Sequence, residues 1–357
     1  MTSVSSQLAL SELISRTGRI PNADLAIHRY TIDSGDPLVS FVVPVHNQEG
    51  RILECLRGIQ SSASLPHEIL VIVDHCSDRT SQRVHDWARM SANEARSSPL
   101  TRVVIVESDE SDLFETVSDN LGFSLADGEI LIEVQADMVI SHVDFDRRVV
   151  DALQQFPRLL AVSGRGGHAH AMSFRANPLR RLVSKAAEVS FSWLAQWRGR
   201  YSPCALEYYL SDSIGRVGKR VDLRAGNVDD RSVFVTGTVM RGPLGLRRAD
   251  LLRLGMLDSE RFFLGDDDHD LVYRAVQEKN DVLVGYLPMR FDAPLELGSV
   301  RVEKSAEEKA RMSELLEYYA EKQWCWASLR VTTPASRPAT MGFGATGFGI
   351  PWSAASG

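Results

Sequence analysis

Three groups of carboxylates lie where predicted strands end or predicted helices begin. Asp74 ends one apolar run, and Asp137 follows another after a short polar turn. The third group opens a helical pattern and consists of Asp266, Asp267, Asp268 and Asp270. Carboxylates at such positions can bind a divalent cation, accept hydrogen bonds from a ligand or take a proton from a substrate. The competing interpretation is structural, because acids also cap helices and interact favourably with the helix dipole.

The elements that would hold these acids alternate between strand and helix. Short, almost wholly apolar runs predict strands that are buried on both faces, at residues 38–45, 68–73, 102–106 and 130–134. Helical patterns separate the runs, and this alternation is typical of βαβ units in a parallel sheet. Ligands of such sheets bind beyond the carboxyl ends of the strands, which is where Asp74 and Asp137 are expected. Ser77 or Asp78 can cap the helix after Asp74.

The second half of the chain has a looser pattern. Its predicted elements are a helix over 142–156, a strand over 159–162, a glycine-rich loop over 163–170, a helix over 178–197, a strand over 233–240, helices over 248–254 and 262–279, a strand over 282–286 and a helix over 305–326. We predict an N-terminal extension over residues 1–36, a single domain over 37–330 and a flexible tail over 331–357, since the tail is rich in Gly, Ser, Ala, Thr and Pro.

Composition places the chain among soluble globular proteins. Of its 357 residues, 44% are hydrophobic and 24% are charged, and the net charge of -7 argues against a nucleic-acid partner. The four cysteines are scattered, which fits a reducing compartment. No apolar run approaches the roughly 20 residues of a membrane span, and the N-terminus lacks a secretory signal pattern. We therefore expect a cytoplasmic protein.

Four segments together resemble a known enzyme family. They are VSFVVPVHNQEGRILECLRGI (39–59), VIVDHCSDRT (71–80), SDNLGFSLADGEILIEVQADM (118–138) and LGMLDSERFFLGDDDHDLVYRA (254–275). Their order and spacing resemble those of family 2 glycosyltransferases. The resemblance implies the α/β GT-A fold, with a Rossmann-like, mostly parallel central sheet flanked by helices. It also implies a nucleotide-sugar-binding half over residues 37–140 and an acceptor-side half over residues 141–330.

The resemblance implies a role for each matching side chain in the donor half. The nucleotide pocket would be lined by Pro44, His46, Asn47 and Glu49. Asp74 would accept a hydrogen bond from the base, as a carboxylate can from a ring N–H. Asp137 would contact a divalent metal ion, Mg²⁺ or Mn²⁺, on the diphosphate of the donor.

The resemblance also implies a catalytic base and a metal-binding turn. Asp267, or its neighbour Asp266, would take the proton from the acceptor hydroxyl. Where the family usually has Asp-x-Asp, this chain has Gln135-Ala136-Asp137. Gln135 offers a carbonyl oxygen or an amide donor toward the substrate but no charge, so metal dependence is the least secure part of the resemblance.

The acceptor half matches the family least. Arg165, in the glycine-rich loop, is a candidate contact for phosphate or acceptor, whereas the loop histidines are more simply explained as solvated. Arg241-Gly242-Pro243 either shapes the acceptor pocket or forms a plain turn. The basic and aromatic helix predicted over 178–197 allows peripheral contact with an anionic membrane, with core packing as the competing interpretation.

These observations lead to one leading hypothesis and one from another class. The first is an inverting glycosyltransferase that moves one sugar from a nucleoside-diphosphate donor, with UDP favoured, to a saccharide or lipid-linked acceptor. The resemblance suggests a role in surface-polysaccharide or glycan biosynthesis, in the cytoplasm or at the inner face of the membrane. The alternative is an inactive nucleotide-sugar-binding or scaffold protein of the same fold, motivated by Gln135.

Overall fold

The protein is an α/β structure built on one ten-stranded sheet. The computed structural model describes residues 25–94, 99–108, 113–164, 166–167, 232–236, 238–262, 267–278, 282–287, 289, 291–292 and 328–330. The helices predicted over 178–197 and 305–326, and the tail over 331–357, therefore lie outside the described residues.

Five strands form the first half of the sheet: β1 (Leu25–Thr31), β2 (Val39–Val45), β3 (His67–Asp74), β4 (Leu100–Ser108) and β5 (Ile130–Glu133). The last four are parallel, in the order β4-β3-β2-β5, and β1 pairs antiparallel with β4 at the edge. Their apolar residues are buried because helices cover both faces. The carboxyl ends of β2, β3 and β5 consequently meet at one edge of the sheet.

The second half adds nine strands: β6 (Val139–Ile140), β7 (Leu159–Ser163), β8 (Gly166–Gly167), β9 (Ser232–Thr236), β10 (Thr238–Val239), β11 (Leu244–Arg247), β12 (Leu283–Tyr286), β13 (Phe291–Asp292) and β14 (Ser328–Arg330). The large sheet continues as β5-β11-β7-β12-β9-β14, while β6 pairs with β13 and β8 with β10. Within the large sheet only β1, β9 and β11 run against the direction of β2. This architecture confirms the predicted α/β class with a mostly parallel central sheet.

The described helices are α1 (Ile52–Ser62), α2 (Thr80–Glu94), α3 (Glu115–Leu125), α4 (Phe145–Gln155), α5 (Arg248–Arg253) and α6 (Asp267–Glu278). Apolar residues of α1, α2 and α4 pack on one face of the sheet, and those of α3 and α6 pack on the other. In α1, for example, Ile52, Leu56 and Ile59 are fully buried. No helix in the described ranges is long and apolar enough to cross a membrane.

Three strands of the large sheet were not expected from the sequence. The shortest is β14, which has three residues. Of the other two, one is β1, which lies within the stretch predicted as an extension and exposes much of its surface. An edge strand packs on one side only, so the sequence of β1 includes polar residues and lacks the continuous apolar run of a buried strand. The other is β11, which has four residues and includes Gly245. Such a segment is too short for a periodic pattern to predict it.

Helix α3 lies unusually close to the sheet at Gly122. A Cβ added to this glycine would lie 2.3 Å from Cγ1 of Val42 on β2 and 3.4 Å from Cγ1 of Ile72 on β3. The missing side chain thus allows direct backbone approach. On the opposite side of α3, the Asn120 side chain donates to the carbonyl of Leu257 (2.8 Å) and accepts from its N–H (3.0 Å). These contacts fix α3 between the sheet and the segment that leads to α6.

Candidate functional site

The chain segments after β2 and β3 are joined by side-chain hydrogen bonds. Nδ1 of His46 lies 2.7 Å from the carbonyl oxygen of Asp74, and the Asn47 amide lies 3.0 Å from Nε2 of His46. Oδ1 of Asn47 accepts the backbone N–H of Ser77 at 2.8 Å. Asn47 adopts a positive φ of 50°, a conformation that asparagine tolerates better than most residues. His46 and Asn47, two of the four predicted nucleotide-pocket residues, therefore hold the loop after β3.

The Asp74 carboxylate is buried at the end of β3 and already has partners. It accepts the backbone N–H groups of Leu113 (2.6 Å) and Phe114 (3.0 Å), directly before α3. These bonds tie the start of α3 to the sheet edge. Each carboxylate oxygen can accept more than one hydrogen bond, so contact with a nucleobase remains compatible with this arrangement.

The other predicted pocket residues lie nearby on the same edge. Pro44 is part of β2, opposite Ile72, and is only partly buried. Glu49 accepts the backbone and side-chain N–H groups of Arg79, at 3.1 Å and 3.2 Å, and these bonds lower the pKa of its carboxyl group. Asp78 accepts the N–H of Thr80, the first residue of α2, at 2.9 Å. Of the two candidate caps, Asp78 therefore fills this role.

The polar turn after β5 places Gln135 and Asp137 beside α1 and α3. The Gln135 amide donates to Oε1 of Glu115 at 3.1 Å, and the Gln135 carbonyl accepts the N–H of Met138 at 2.9 Å. A guanidinium nitrogen of Arg51 lies 3.4 Å from the Asp137 carbonyl oxygen. The Glu115 carboxylate of α3 therefore lies next to Gln135, which occupies the position of the first Asp in the usual Asp-x-Asp motif.

Arg241 is buried at the centre of a group of acids. Only 5% of the residue is exposed, and its guanidinium contacts Asp119 (2.6 Å), Glu115 (3.3 Å), the Thr116 hydroxyl (3.0 Å) and the Asp267 carboxylate. We call these residues, with Glu133 and Asp268, the Arg241 cluster. A buried guanidinium with its planar fork of five donors suits several carboxylates at once.

The position of strand β11 explains why Arg241 lies at the ligand edge of the sheet. Antiparallel β11 fits between β5 and β7, so the residues before β11 lie at the carboxyl ends of both neighbours. The N–H of Gly242 donates to the buried Glu133 carboxylate at the end of β5, at 2.7 Å. Arg241-Gly242-Pro243 is therefore not a plain turn, because it positions the cluster's only described guanidinium.

The start of α6 supplies the remaining acids of the cluster. Asp267 is fully buried; its Oδ2 contacts Arg241, and no partner within the described residues reaches its Oδ1. Asp268 accepts the N–H of Arg241 at 2.9 Å and contacts the His269 ring at 2.5 Å. Burial would raise the pKa of Asp268, but His269 and Arg241 lower it overall to about 2. Asp268 is consequently ionised.

The cluster contains more acids than its guanidinium can neutralise, which favours the protonated form of some of them. Burial raises the pKa of Asp119 to about 7; attraction to Arg241 opposes the rise, and repulsion from Glu115 and Asp268 adds to it. Burial also raises the pKa of Glu133 well above its usual value, with Asp119 adding to the effect. Acids with raised pKa values are typical of functional sites, although structural networks also produce them.

This protonation predicts a pH effect on stability. A folded-state pKa above the unfolded value means that the stabilising contribution is complete below about pH 4 and is lost as pH rises to about 7. We expect the unfolding free energy of the natural protein to fall across this window relative to that of Asp119→Asn, by at most about 1.4 kcal/mol per pH unit. Urea unfolding of both proteins between pH 4 and 8 measures the difference, and parallel curves would contradict the prediction.

The structure brings together most of the predicted residues and adds others. Asp266 and Arg165 lie outside the described residues. Sequence reasoning missed Glu115, Asp119 and Glu133, although Asp119 and Glu133 lie within one of the matching segments. The only available signal was that these acids interrupt otherwise apolar or helical patterns, which does not distinguish a buried acid from an exposed one.

The residues around Asp137 suit a divalent cation that is shared with a substrate. The Asp137 carboxylate supplies oxygen donors, which Mg²⁺ and Mn²⁺ prefer. Mg²⁺ commonly binds through one or two carboxylates together with substrate phosphates and water. One carboxylate at this turn is therefore sufficient for such a site.

A family profile matches part of the sequence. Residues 40–206 match the profile described as Glycosyl transferase family 2. The match bears out the resemblance for the first three segments, and the fourth, at 254–275, lies outside it. A comparison with curated protein sequences found no match.

Comparison with solved structures gives distant likenesses. The mannosyltransferase PcManGT from Pyrobaculum calidifontis, solved with GDP-Man and Mn²⁺, is 16% identical with a TM-score of 0.45; the match covers 88% of this chain and 76% of that one. GalNAc-T7 with UDP, GalNAc and Mn²⁺ is 13% identical (TM-score 0.49, 79% and 48% covered). S. aureus TarS is 16% identical (TM-score 0.43, 78% and 39% covered). This chain thus spans less than half the length of the last two.

Proposed function

Since residues 40–206 of this chain carry the family 2 glycosyltransferase sequence, we propose that the protein transfers one sugar from a nucleoside-diphosphate sugar. The proposed donor is UDP-linked, the acceptor is a saccharide or a lipid-linked saccharide, and transfer inverts the anomeric configuration. The proposed role is surface-polysaccharide or glycan biosynthesis, in the cytoplasm or at the inner face of the membrane. The family motifs are the support for this role.

One observation carries the proposal: a continuous chain of contacts links two of the motifs. Gln135 contacts Glu115, Glu115 contacts Arg241, and Arg241 contacts Asp267. The proposed metal-binding turn and the proposed base thus belong to one network at the ligand edge of the sheet, although they are far apart in sequence. A transferase needs this proximity, because the donor phosphate and the acceptor hydroxyl flank the same anomeric carbon.

The residues of this network suggest how the chain assists transfer. Asp267 takes the proton of the acceptor hydroxyl through its Oδ1 as the acceptor oxygen attacks the anomeric carbon. The bond to the diphosphate breaks on the opposite face, so the configuration inverts. Arg241 holds Oδ2 of Asp267 and so fixes the direction of the base. The loops after β2 and β3 bind the nucleotide through His46, Asn47 and Asp74.

Asp137 would hold the metal ion, with additional oxygen ligands from the donor diphosphate. A bound Mg²⁺ or Mn²⁺ would neutralise negative charge on the leaving diphosphate. Gln135 contributes no charge there, and its amide donates to Glu115.

A donor screen tests the proposed function. Calorimetry of the full chain with UDP-linked and GDP-linked sugars, with and without Mn²⁺, should show tighter binding of one donor. Hydrolysis of that donor and its transfer to a panel of saccharide acceptors should follow. Donor binding without any turnover across the panel would instead support the inactive scaffold, the alternative that the uncharged Gln135 motivates.

Asp137→Asn is expected to lower Mn²⁺-dependent turnover by about 10²-fold or more. The reason is that charge stabilisation by a metal ion is worth several kcal/mol, and each 1.36 kcal/mol is tenfold in rate. Initial rates over a Mn²⁺ titration measure the effect. Asp144→Asn, which changes an exposed carboxylate before α4, is the matched control and should leave the rates unchanged. Equal Mn²⁺ dependence in Asp137→Asn and the natural protein would remove Asp137 from the metal site.

A further inference from the structure

A second group of potential metal ligands lies at the β1 edge of the sheet. Among the described residues, the only three or more His, Cys, Asp or Glu side chains whose ligand atoms all lie within 4.8 Å of one another are His28, His85 and Glu107. They come from β1, α2 and β4, and none of them belongs to the network described above. We call them the edge triad.

The ligand atoms of the edge triad converge on one point. Nε2 of His28 lies 3.2 Å from Oε2 of Glu107, and Nε2 of His85 lies 3.1 Å from the same oxygen. In a tetrahedral zinc site, bond lengths of 2.0–2.2 Å place neighbouring ligand atoms about 3.4 Å apart. The two spacings to Glu107 are close to this value, and the ligand nitrogens of His28 and His85 lie within 4.8 Å of each other, so a small shift would admit the ion.

Two outer contacts orient these ligands. The Tyr30 hydroxyl lies 2.8 Å from Nδ1 of His85, which leaves Nε2 to face the triad. The Ser81 hydroxyl donates to Oε1 of Glu107, which leaves Oε2 to face it as well. Metal-binding histidines and carboxylates are typically held by such second contacts. An incidental surface ion pair would not require them.

The edge triad is accessible from one side. The His28 side chain is 44% exposed, whereas those of His85 and Glu107 are largely buried. An ion can therefore enter from the His28 side and leave its fourth position to water.

We propose that His28, His85 and Glu107 form a zinc-class transition-metal site that fastens β1 to β4 and α2. Imidazole nitrogens select Zn²⁺, Ni²⁺ or Cu²⁺ over Mg²⁺, which prefers oxygen ligands alone. The site joins three elements and lies outside the Arg241 cluster. β1 gains most from the link, since it is an edge strand whose residues are only partly buried.

Metal titration of the tag-free, chelator-treated full chain tests the site. Millimolar Mg²⁺ is included so that sites built from oxygen ligands are occupied. Calorimetry with Zn²⁺ should then show one site per chain, and Co²⁺ should give the visible absorption of a nitrogen-ligated tetrahedral site. Hydrogen exchange of the 25–31 amides should slow when Zn²⁺ is added, because the ion holds β1 in the sheet.

Variants assign the binding to these residues. His28→Gln and His85→Gln should each weaken Zn²⁺ binding at least about 100-fold, and Tyr30→Phe should weaken it about 10–100-fold. His75→Gln changes an exposed histidine after β3 and should bind Zn²⁺ as the natural protein does. If His85→Gln fails to fold, the exposed His28 position still gives the answer. Zn²⁺ affinity that is absent, or unchanged in His28→Gln, would show that the triad is an ion-pair cluster only.

Discussion

Asp267→Asn is expected to lower the rate of sugar transfer by roughly 10²–10⁴-fold, the usual contribution of a general base. An amide cannot take the proton of the acceptor hydroxyl, although it can still contact Arg241 through its carbonyl oxygen. Donor affinity should change little, because the nucleotide is bound at the ends of β2 and β3. Single-turnover transfer rates, together with calorimetric donor affinity, separate the two effects.

The controls for this experiment come from the same helix. Asp270→Asn breaks a 2.7 Å ion pair with Arg274 and should lower stability but not the transfer rate. Asp266→Asn tests the neighbouring candidate. If Asp266→Asn abolishes transfer while Asp267→Asn affects only stability, the base is Asp266. Full activity in both variants would refute a carboxylate base at the start of α6.

Arg241→Leu is expected to destabilise the protein by roughly 3–5 kcal/mol, the typical effect of removing one partner from a buried ion pair. The reason is that Asp119 and Asp267 would remain buried without their cation. Much of the cost is the penalty for uncompensated carboxylates, so adding Asp119→Asn to Arg241→Leu should restore part of the stability. Urea denaturation at constant pH gives the unfolding free energies of all three proteins.

A surface arginine provides the matched comparison for Arg241. Arg253 is 35% exposed and pairs with Asp250 and Glu278, so Arg253→Leu should cost less than about 1 kcal/mol. Arg241→Lys keeps the charge but cannot reach Asp119, Asp267 and Thr116 together, and should fall between the two leucine variants. A cost for Arg241→Leu no larger than that for Arg253→Leu would contradict the structural role of the Arg241 cluster.

The central strands were predictable because their composition reports their burial. Runs such as 38–45 and 68–73 are apolar on both faces, which only a strand covered on both sides requires. From these strands, Asp74 and the 135–137 turn follow as residues at the ligand edge. The order of the family motifs then links these residues to the acids at the start of α6. The local sequence pattern alone does not predict this link.

The Arg241 cluster could not be predicted, because its members are assembled by tertiary contacts. Glu115 and Asp119 lie one turn apart on α3, where acids are usually exposed, and only the return of β11 between β5 and β7 brings Arg241 to them. The edge triad could not be predicted either, because His28 lies on β1 and the sequence of β1 lacks the pattern of a buried strand. Burial of a charged residue depends on what packs against it, and a single sequence does not state this.

Gly122 limits how this protein can vary. The absence of one methyl group sets the separation between α3 and the β2–β3 surface, and Glu115 and Asp119 occupy the same rigid helix. Packed interiors transmit small displacements, so a larger residue at 122 would shift both acids away from their guanidinium without touching any of them. An uncharged residue, Gly122, thus helps to set the distances between the acids and Arg241. A larger residue there would change the ionisation of Glu115 and Asp119 without contacting either of them.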